Sequence, residues 1–163
     1  MSETLNIKHK SLFNEILILI KYRLSLSVVI SSVASYLLAF EIFSPSTFIL
    51  LIIGGFLVVG SSNGFNQIIE RERDSSMSRT LNRPLPSGNM SIYQAIIICS
   101  ILGLVGLSML YAINLRTAFF GFVSMIIYLA VYTPLKPITP LSVFFWSYTR
   151  SYTFYVGLGS CYK

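Results

Sequence analysis

The residues of this chain best placed to do chemistry lie between Asn63 and Gly88, in NGFNQIIERERDSSMSRTLNRPLPSG. Asn66, Glu70 and Asp74 recur there at intervals of four. Four residues turn a helix through about 400°, so the three side chains keep to one stripe that drifts by about 40° per step. Amide and carboxylate oxygens on one stripe suit a hard divalent cation such as Mg²⁺. Arg71, Arg73, Arg79 and Arg83 crowd the same stretch, and guanidinium groups bind phosphate oxygens well. A cation site beside an arginine cluster points to a diphosphate. Mg²⁺ held by such oxygens, with arginines assisting, stabilises the charge that develops as pyrophosphate leaves an allylic diphosphate. The allylic cation left behind reacts with water, so the reaction benefits from a dry apolar chamber. A plainer reading stands beside this one: a helix emerging into water, with solvated acids and arginines that anchor it at a membrane surface. Spacing alone leaves both open.

The elements that position this stretch are apolar. Of 163 residues, 54% are hydrophobic and 11% charged, with mean hydropathy +0.71. A soluble domain is about one quarter charged, so these values point to an integral membrane protein. The net charge of +6 does not indicate nucleic acid, because the basic residues flank apolar runs and form no soluble basic face. Cys99 and Cys161 have neither metal-ligand nor redox spacing. His9 sits in a polar N-terminal segment and reads as solvated. That segment lacks a small-residue cleavage site, so no cleaved signal peptide is expected.

The expected fold is all-α, a polytopic bundle of about four transmembrane helices. Residues 1–20 form an N-terminal tail that includes a short amphipathic lead-in, Leu12–Ile20. Spans follow at about 24–43, 47–69, 92–113 and 118–135. Ser46 and Ser91 are the expected N-caps of the second and third spans. Thr133-Pro134 closes the fourth. Gly54, Gly55, Gly60, Gly103 and Gly106, with Ser31, Ser32, Ala34 and Ser35, allow close helix approach. Polar groups at the end of a span are costly unless they face a cavity, which marks Asn63, Asn66, Gln67, Glu70 and Asp74. Lys8, Lys10, Lys21 and Arg23 precede span one, and Arg71, Arg73, Arg79 and Arg83 separate spans two and three. No lysine or arginine separates spans one and two, and only Arg116 separates three and four. This bias predicts a cytoplasmic N-terminus and a cytoplasmic arginine loop.

Asn66-x3-Glu70-x3-Asp74, followed by Met77-x-Arg79-Thr80-x-Asn82-Arg83-Pro84-Leu85-Pro86-x-Gly88, resembles the first signature of the UbiA-type membrane prenyltransferases. Within them the string is most similar to the protoheme IX farnesyltransferase, or haem O synthase, branch. Lys21-x-Arg23 and Tyr132-Thr133-Pro134-Leu135-Lys136-x3-Pro140 also resemble that family, and the likeness covers about residues 21–143. It implies that Asn66, Glu70 and Asp74 bind Mg²⁺ and diphosphate. It also implies that Arg71, Arg79, Arg83 and Lys136 contact phosphate oxygens or shape the mouth. The implied reaction transfers farnesyl from farnesyl diphosphate to a vinyl group of protoheme IX, in a bacterial cytoplasmic (inner) membrane. Glu70 is a departure, since the wider superfamily has Asp there; the longer carboxylate can still reach a metal.

Family members are about twice this length and carry a second acidic motif, whereas no acidic residue follows Asp74. The chain therefore resembles an N-terminal half, expected to be inactive without the missing half or a partner chain. Residues 144–163 look aberrant. Ser-Tyr-Thr-Arg-Ser-Tyr-Thr fits neither a span nor a clean loop. One set of codons for it, shifted by one base, reads Gly-Ala-Ile-Pro-Gly-Ala-Ile-Pro, which resembles the family segment. Slippage at Phe144-Phe145 would explain the change, and residues past about Leu141 are expected to be poorly defined. Two other readings remain: a prenyltransferase for a quinone-precursor aromatic acceptor, and a non-catalytic four-span membrane protein.

Overall fold

Long apolar runs with almost no internal charge become helices, because a helix satisfies its own backbone where water is absent. The computed structural model describes residues 11–39, 42–133 and 142–161, which are helical, apart from short connections and the long loop 76–91, and contain no strand. The helices are α1 (Leu12–Leu19), α2 (Tyr22–Ala39), α3 (Pro45–Ser75), α4 (Ile92–Ile113), α5 (Leu115–Ile127) and α6 (Ser142–Gly159). A π-helical segment, Tyr128–Tyr132, continues α5. Among the described residues, four elements are long and apolar enough to cross a membrane: α2, α3, α4, and α5 with its π extension.

The helix ends follow local chemistry. Ser91 and Gln94 form a capping box at the start of α4. The second span is capped by Ser44 and not by the expected Ser46. Pro45 fills the first helical position, where its missing N–H costs nothing, and Ser44 Oγ accepts from the Thr47 N–H at 3.4 Å. The fourth span starts at Leu115, three residues earlier than expected. Asn114 Oδ1 accepts from the Thr117 N–H at 2.7 Å and converts the expected turn into a cap. Lys21, at φ 48°, separates α1 from α2. That left-handed conformation is unfavourable for a side chain, so it marks a fixed break between the lead-in and the first span.

Small residues bring α3 and α4 together. A Cβ on Gly106 would lie 2.9 Å from the Gly54 carbonyl oxygen, Leu57 Cβ and Val58 Cγ2. Ser61 Oγ donates to the Cys99 carbonyl at 2.8 Å across the same seam. Leu51, Val58, Leu110, Tyr36 and Val156 form one buried cluster, and Leu19, Met90, Ala95 and Cys99 form another beneath α1. With 31 residues, α3 is about 46 Å long. A hydrocarbon layer is about 30 Å thick, so α3 is longer than such a layer is thick.

The segment past Leu141 differs from expectation. It forms α6, which packs against α2 and α5. Ser32 Oγ donates to the Thr153 carbonyl at 2.9 Å, and Asn114 Nδ2 donates to the Gly159 carbonyl at 2.6 Å. Gly157 lies against the Ser32 backbone, where a Cβ would clash. The serines of α2 thus accept a helix whose sequence shows no clear apolar stripe.

The seam predicts a contrast between two glycines. Gly106→Ala forces backbone apart and should destabilise the protein by about 1–3 kcal/mol, lowering its thermal midpoint in mild detergent. Gly55→Ala meets only Val29 Cγ2 at 3.8 Å and should leave the midpoint unchanged or slightly raised. Equal midpoints for the two variants would contradict the close α3–α4 approach.

Candidate functional site

The four-residue period carries Asn66, Glu70 and Asp74 onto the inner face of α3, where they are 1%, 5% and 5% exposed. Glu72, between them, faces outward. These side chains are not the solvated acids of a helix leaving the bilayer. A buried carboxylate is costly unless paired or hydrogen-bonded, and both are. Asn66 Nδ2 donates to Glu70 Oε2 at 3.1 Å. Arg83 donates to Asp74 Oδ2 in a close ion pair.

The loop after α3 brings Arg83 back. Thr80 Oγ1 donates to the Asp74 carbonyl at 2.6 Å, and the Arg83 N–H bonds the Thr80 carbonyl at 3.0 Å. Pro84 is buried, and the Met90 N–H closes onto its carbonyl at 3.1 Å. Gly88, at φ 75°, makes the turn a side chain would resist. The chain therefore folds back across the end of α3 in a fixed hairpin of turns.

Two further polar bridges reach this end of α3. Thr133 Oγ1 donates to Asn66 Oδ1 at 2.8 Å. Tyr128 Oη donates to Asn63 Oδ1 at 3.2 Å, and Asn63 Nδ2 donates to Ser25 Oγ at 3.1 Å. Gln67 Nε2 donates to the Ile18 and Leu19 carbonyls at the end of α1, at 3.0 and 2.8 Å. On the other side of α1, Asn89 Nδ2 reaches Glu15 Oε1 at 3.0 Å, and Glu15 is 2% exposed. Thus α1, α2, the loop and the π segment all bond to polar groups at the same end of the bundle.

Of the residues singled out from sequence, the structure brings together Asn66, Glu70, Asp74 and Arg83. Arg71 bonds only the exposed Glu72 at 3.5 Å among its described ion pairs, and Arg73 and Arg79 are exposed. Lys136 lies outside the described residues. Sequence reasoning did not single out Thr133, Tyr128 or Glu15. Thr133 stood within the Tyr132–Pro140 string, but no spacing rule ties its hydroxyl to Asn66. Glu15, one acid among the apolar residues of α1, was the available signal for a buried contact.

Two carboxylates and an amide are hard oxygen donors, a set that fits a cation taking its other ligands from water or phosphate. Among the described residues no group of three or more His, Cys, Asp and Glu converges on one point. The hollow lined by Val29, Ser32, Val58 and Val156 holds about 30 Å³, which is water-sized and not substrate-sized.

Residues 28–160 match the UbiA prenyltransferase family. A curated relative named protoheme IX farnesyltransferase from Flavobacterium psychrophilum is 47% identical over 151 residues, covering 91% of this chain and 50% of that protein. The protein of that name from Christiangramia forsetii is 50% identical over 137 residues, covering 84% and 46%. One from Flavobacterium johnsoniae is 43% identical over 151 residues, covering 91% and 50%. The chain spans about half the length of these relatives. No solved structure matches it significantly. With four helices long and apolar enough to span among the described residues, and relatives of this kind, the chain is an integral membrane protein.

Burial separates the two ion pairs in the candidate site. Side chains of Asp74 and Arg83 are 8% and 24% exposed, against 85% and 41% for Glu72 and Arg71. A double-mutant cycle on Asp74→Asn and Arg83→Gln, read by unfolding in detergent, should give a coupling above about 1 kcal/mol. The same cycle on Glu72→Gln and Arg71→Gln should give less than about 0.5 kcal/mol. The reverse order would contradict the arrangement.

Proposed function

The chain belongs to the UbiA prenyltransferase family, and from that premise we propose that it is the diphosphate-binding half of a protoheme IX farnesyltransferase. The reaction is transfer of farnesyl from farnesyl diphosphate to a vinyl group of protoheme IX. The observation that carries this reading is the buried Asn66–Glu70–Asp74 stripe, closed by Arg83. It lies in a chain 43–50% identical to proteins named for that reaction.

The surroundings of Asn66, Glu70, Asp74 and Arg83 are consistent with the following tasks. Glu70 and Asp74 supply carboxylate oxygens for Mg²⁺, which when bound neutralises the charge of the departing pyrophosphate. Asn66 holds the amide that orients Glu70. Arg83 is the guanidinium paired to the stripe among the described residues. It exchanges Asp74 for phosphate oxygens as substrate arrives, while Arg71, Arg79 and Lys136 shape the mouth. The C1–O bond of farnesyl diphosphate breaks with its electron pair on pyrophosphate, the carbon joins the terminal carbon of the haem vinyl group, and the cation left on the inner vinyl carbon is quenched by a water molecule that gives up a proton. Apolar helix faces keep water from the allylic cation.

A complete site in this proposal draws further carboxylates from the length that the relatives have and these 163 residues do not, or from a partner chain. The basic loop sits on the cytoplasmic side of a bacterial inner membrane, where diphosphates and Mg²⁺ are soluble. The tail from residue 144 arises by a one-base slip at Phe144-Phe145. Sequencing the locus checks that: a run of T there and codons readable in the shifted frame are expected, and incompatible codons would refute it.

The 163-residue chain in detergent should bind Mg²⁺-pyrophosphate by calorimetry, lose binding on chelation with EDTA, and bind at least about tenfold more weakly as Asp74→Ala. It should turn over no farnesyl diphosphate with haem when alone. Absence of pyrophosphate binding at any salt concentration would favour a non-catalytic membrane protein and sink the proposal.

A further inference from the structure

The π segment and Thr133, the residue that caps it, have no task in the diphosphate chemistry, yet they carry both hydroxyls that reach the buried asparagines of α3. Thr133 bonds Asn66, and Tyr128 bonds Asn63. These partners are three apart on α3 and so lie on neighbouring parts of one face. Tyr128 and Thr133 are five apart. On an α-helix five residues turn through about 500°, which sets two side chains about 140° apart. An i→i+5 turn brings residues five apart back toward one face. The Thr133 N–H closes that turn on the Tyr128 carbonyl, and Thr133 Oγ1 lies 3.0 Å from the same oxygen. Tyr128 and Tyr132 stack with centroids 5.1 Å apart, which packs the two rings of the segment together.

An asparagine amide has two faces of opposite character, and a flip exchanges acceptor for donor. Asn66 has its oxygen committed to Thr133 and its nitrogen to Glu70. A flipped Asn66 would set its oxygen against the Glu70 carboxylate, so Glu70 selects the orientation; Thr133 Oγ1, donating to Oδ1, then holds it. Only the first arrangement satisfies all partners with Asn66 1% and Thr133 1% exposed.

We infer that Thr133 is a positioning residue: held in phase by the π turn, its hydroxyl fixes the Asn66 amide so that its NH₂ is presented to Glu70 on the diphosphate-binding stripe. This rests on the proposed function for its purpose but not for its geometry. Tyr128 does the same for Asn63, which carries the connection on to Ser25 of α2. The end of the fourth span thereby sets the side-chain orientation of the second.

The test uses the full chain in detergent, ¹⁵N-labelled at asparagine, with the side-chain NH₂ resonances of Asn63 and Asn66 assigned by substitution. Thr133→Val keeps the shape and removes the hydroxyl. It should shift the Asn66 pair and speed its exchange with water by about tenfold or more, the equivalent of one lost buried hydrogen bond. Thr133→Ser should retain the wild-type Asn66 signals. Tyr128→Phe should move the Asn63 pair and leave Asn66 in place. An Asn66 pair unchanged in Thr133→Val, or Thr133→Ser signals unlike wild type, overturns the inference. If Thr133→Val does not fold, Thr133→Ser and Tyr128→Phe decide it, and Asn63 signals unmoved by Tyr128→Phe overturn it. Mg²⁺-pyrophosphate affinity, measured alongside, should fall about tenfold in Thr133→Val and recover in Thr133→Ser. Wild-type protein that binds no pyrophosphate would overturn the proposed function, while the amide signals would still decide the role of Thr133.

Discussion

Two carboxylates held out of water at the end of a membrane-spanning helix are the constraint around which this bundle is arranged. Burying Glu70 and Asp74 is tolerable only if something nearby offers positive charge or N–H groups. Asn66 supplies one such group from the preceding turn of α3, and Arg83 supplies the other from the loop. Each supplier must itself be held. The loop is tied to the end of α3 by Thr80, and the Asn66 amide is tied to the fourth span by Thr133. An ion pair of this kind is a poor source of stability, because desolvation consumes much of its attraction. Under the proposed function its placement is that of a charge held ready for a second anion.

Such a site needs a stiff platform, and the small residues provide it. Gly54 and Gly106 let α3 and α4 meet at backbone distance, and dispersion contacts grow steeply as helices close in a medium that gives no hydrophobic drive. The platform fixes α3 over its apolar length, and the polar network then has to order only its last turns. The water-sized hollow among α2, α3, α5 and α6 shows the same tight packing. The described helices leave open faces that bear Leu104, Phe119 and Phe122.

Much of this was legible in the residues themselves. The four-residue period placed Asn66, Glu70 and Asp74 on one stripe, and hydropathy located the four spans. Ser91 capped its helix as expected. Helix ends set by competition between neighbouring caps were less legible: Ser44 with Pro45 outcompeted Ser46, and Asn114 started a helix where a turn was expected. The π segment was not legible, because a shift from an α to a π turn has no composition signal in Tyr-Leu-Ala-Val-Tyr. The pairing of Thr133 with Asn66 depends on that shift. The helix α6 was missed for a related reason. Its seat is a groove of serines on α2, and no apolar stripe of its own predicts it. Of the basic residues, sequence could not separate Arg83, drawn inward by the Pro84 turn, from Arg71 and Arg79, which stay outside.

The most direct examination of the central claim is to locate a cation. Crystals of the chain grown with pyrophosphate and Mn²⁺ in place of Mg²⁺ would show the metal by anomalous scattering. One peak is expected at about 2.0–2.3 Å from carboxylate oxygens of Glu70 or Asp74, with Arg83 turned toward a phosphate oxygen. A peak elsewhere in the bundle, or pyrophosphate bound by the outer arginines alone with Asp74 still paired to Arg83, would contradict it.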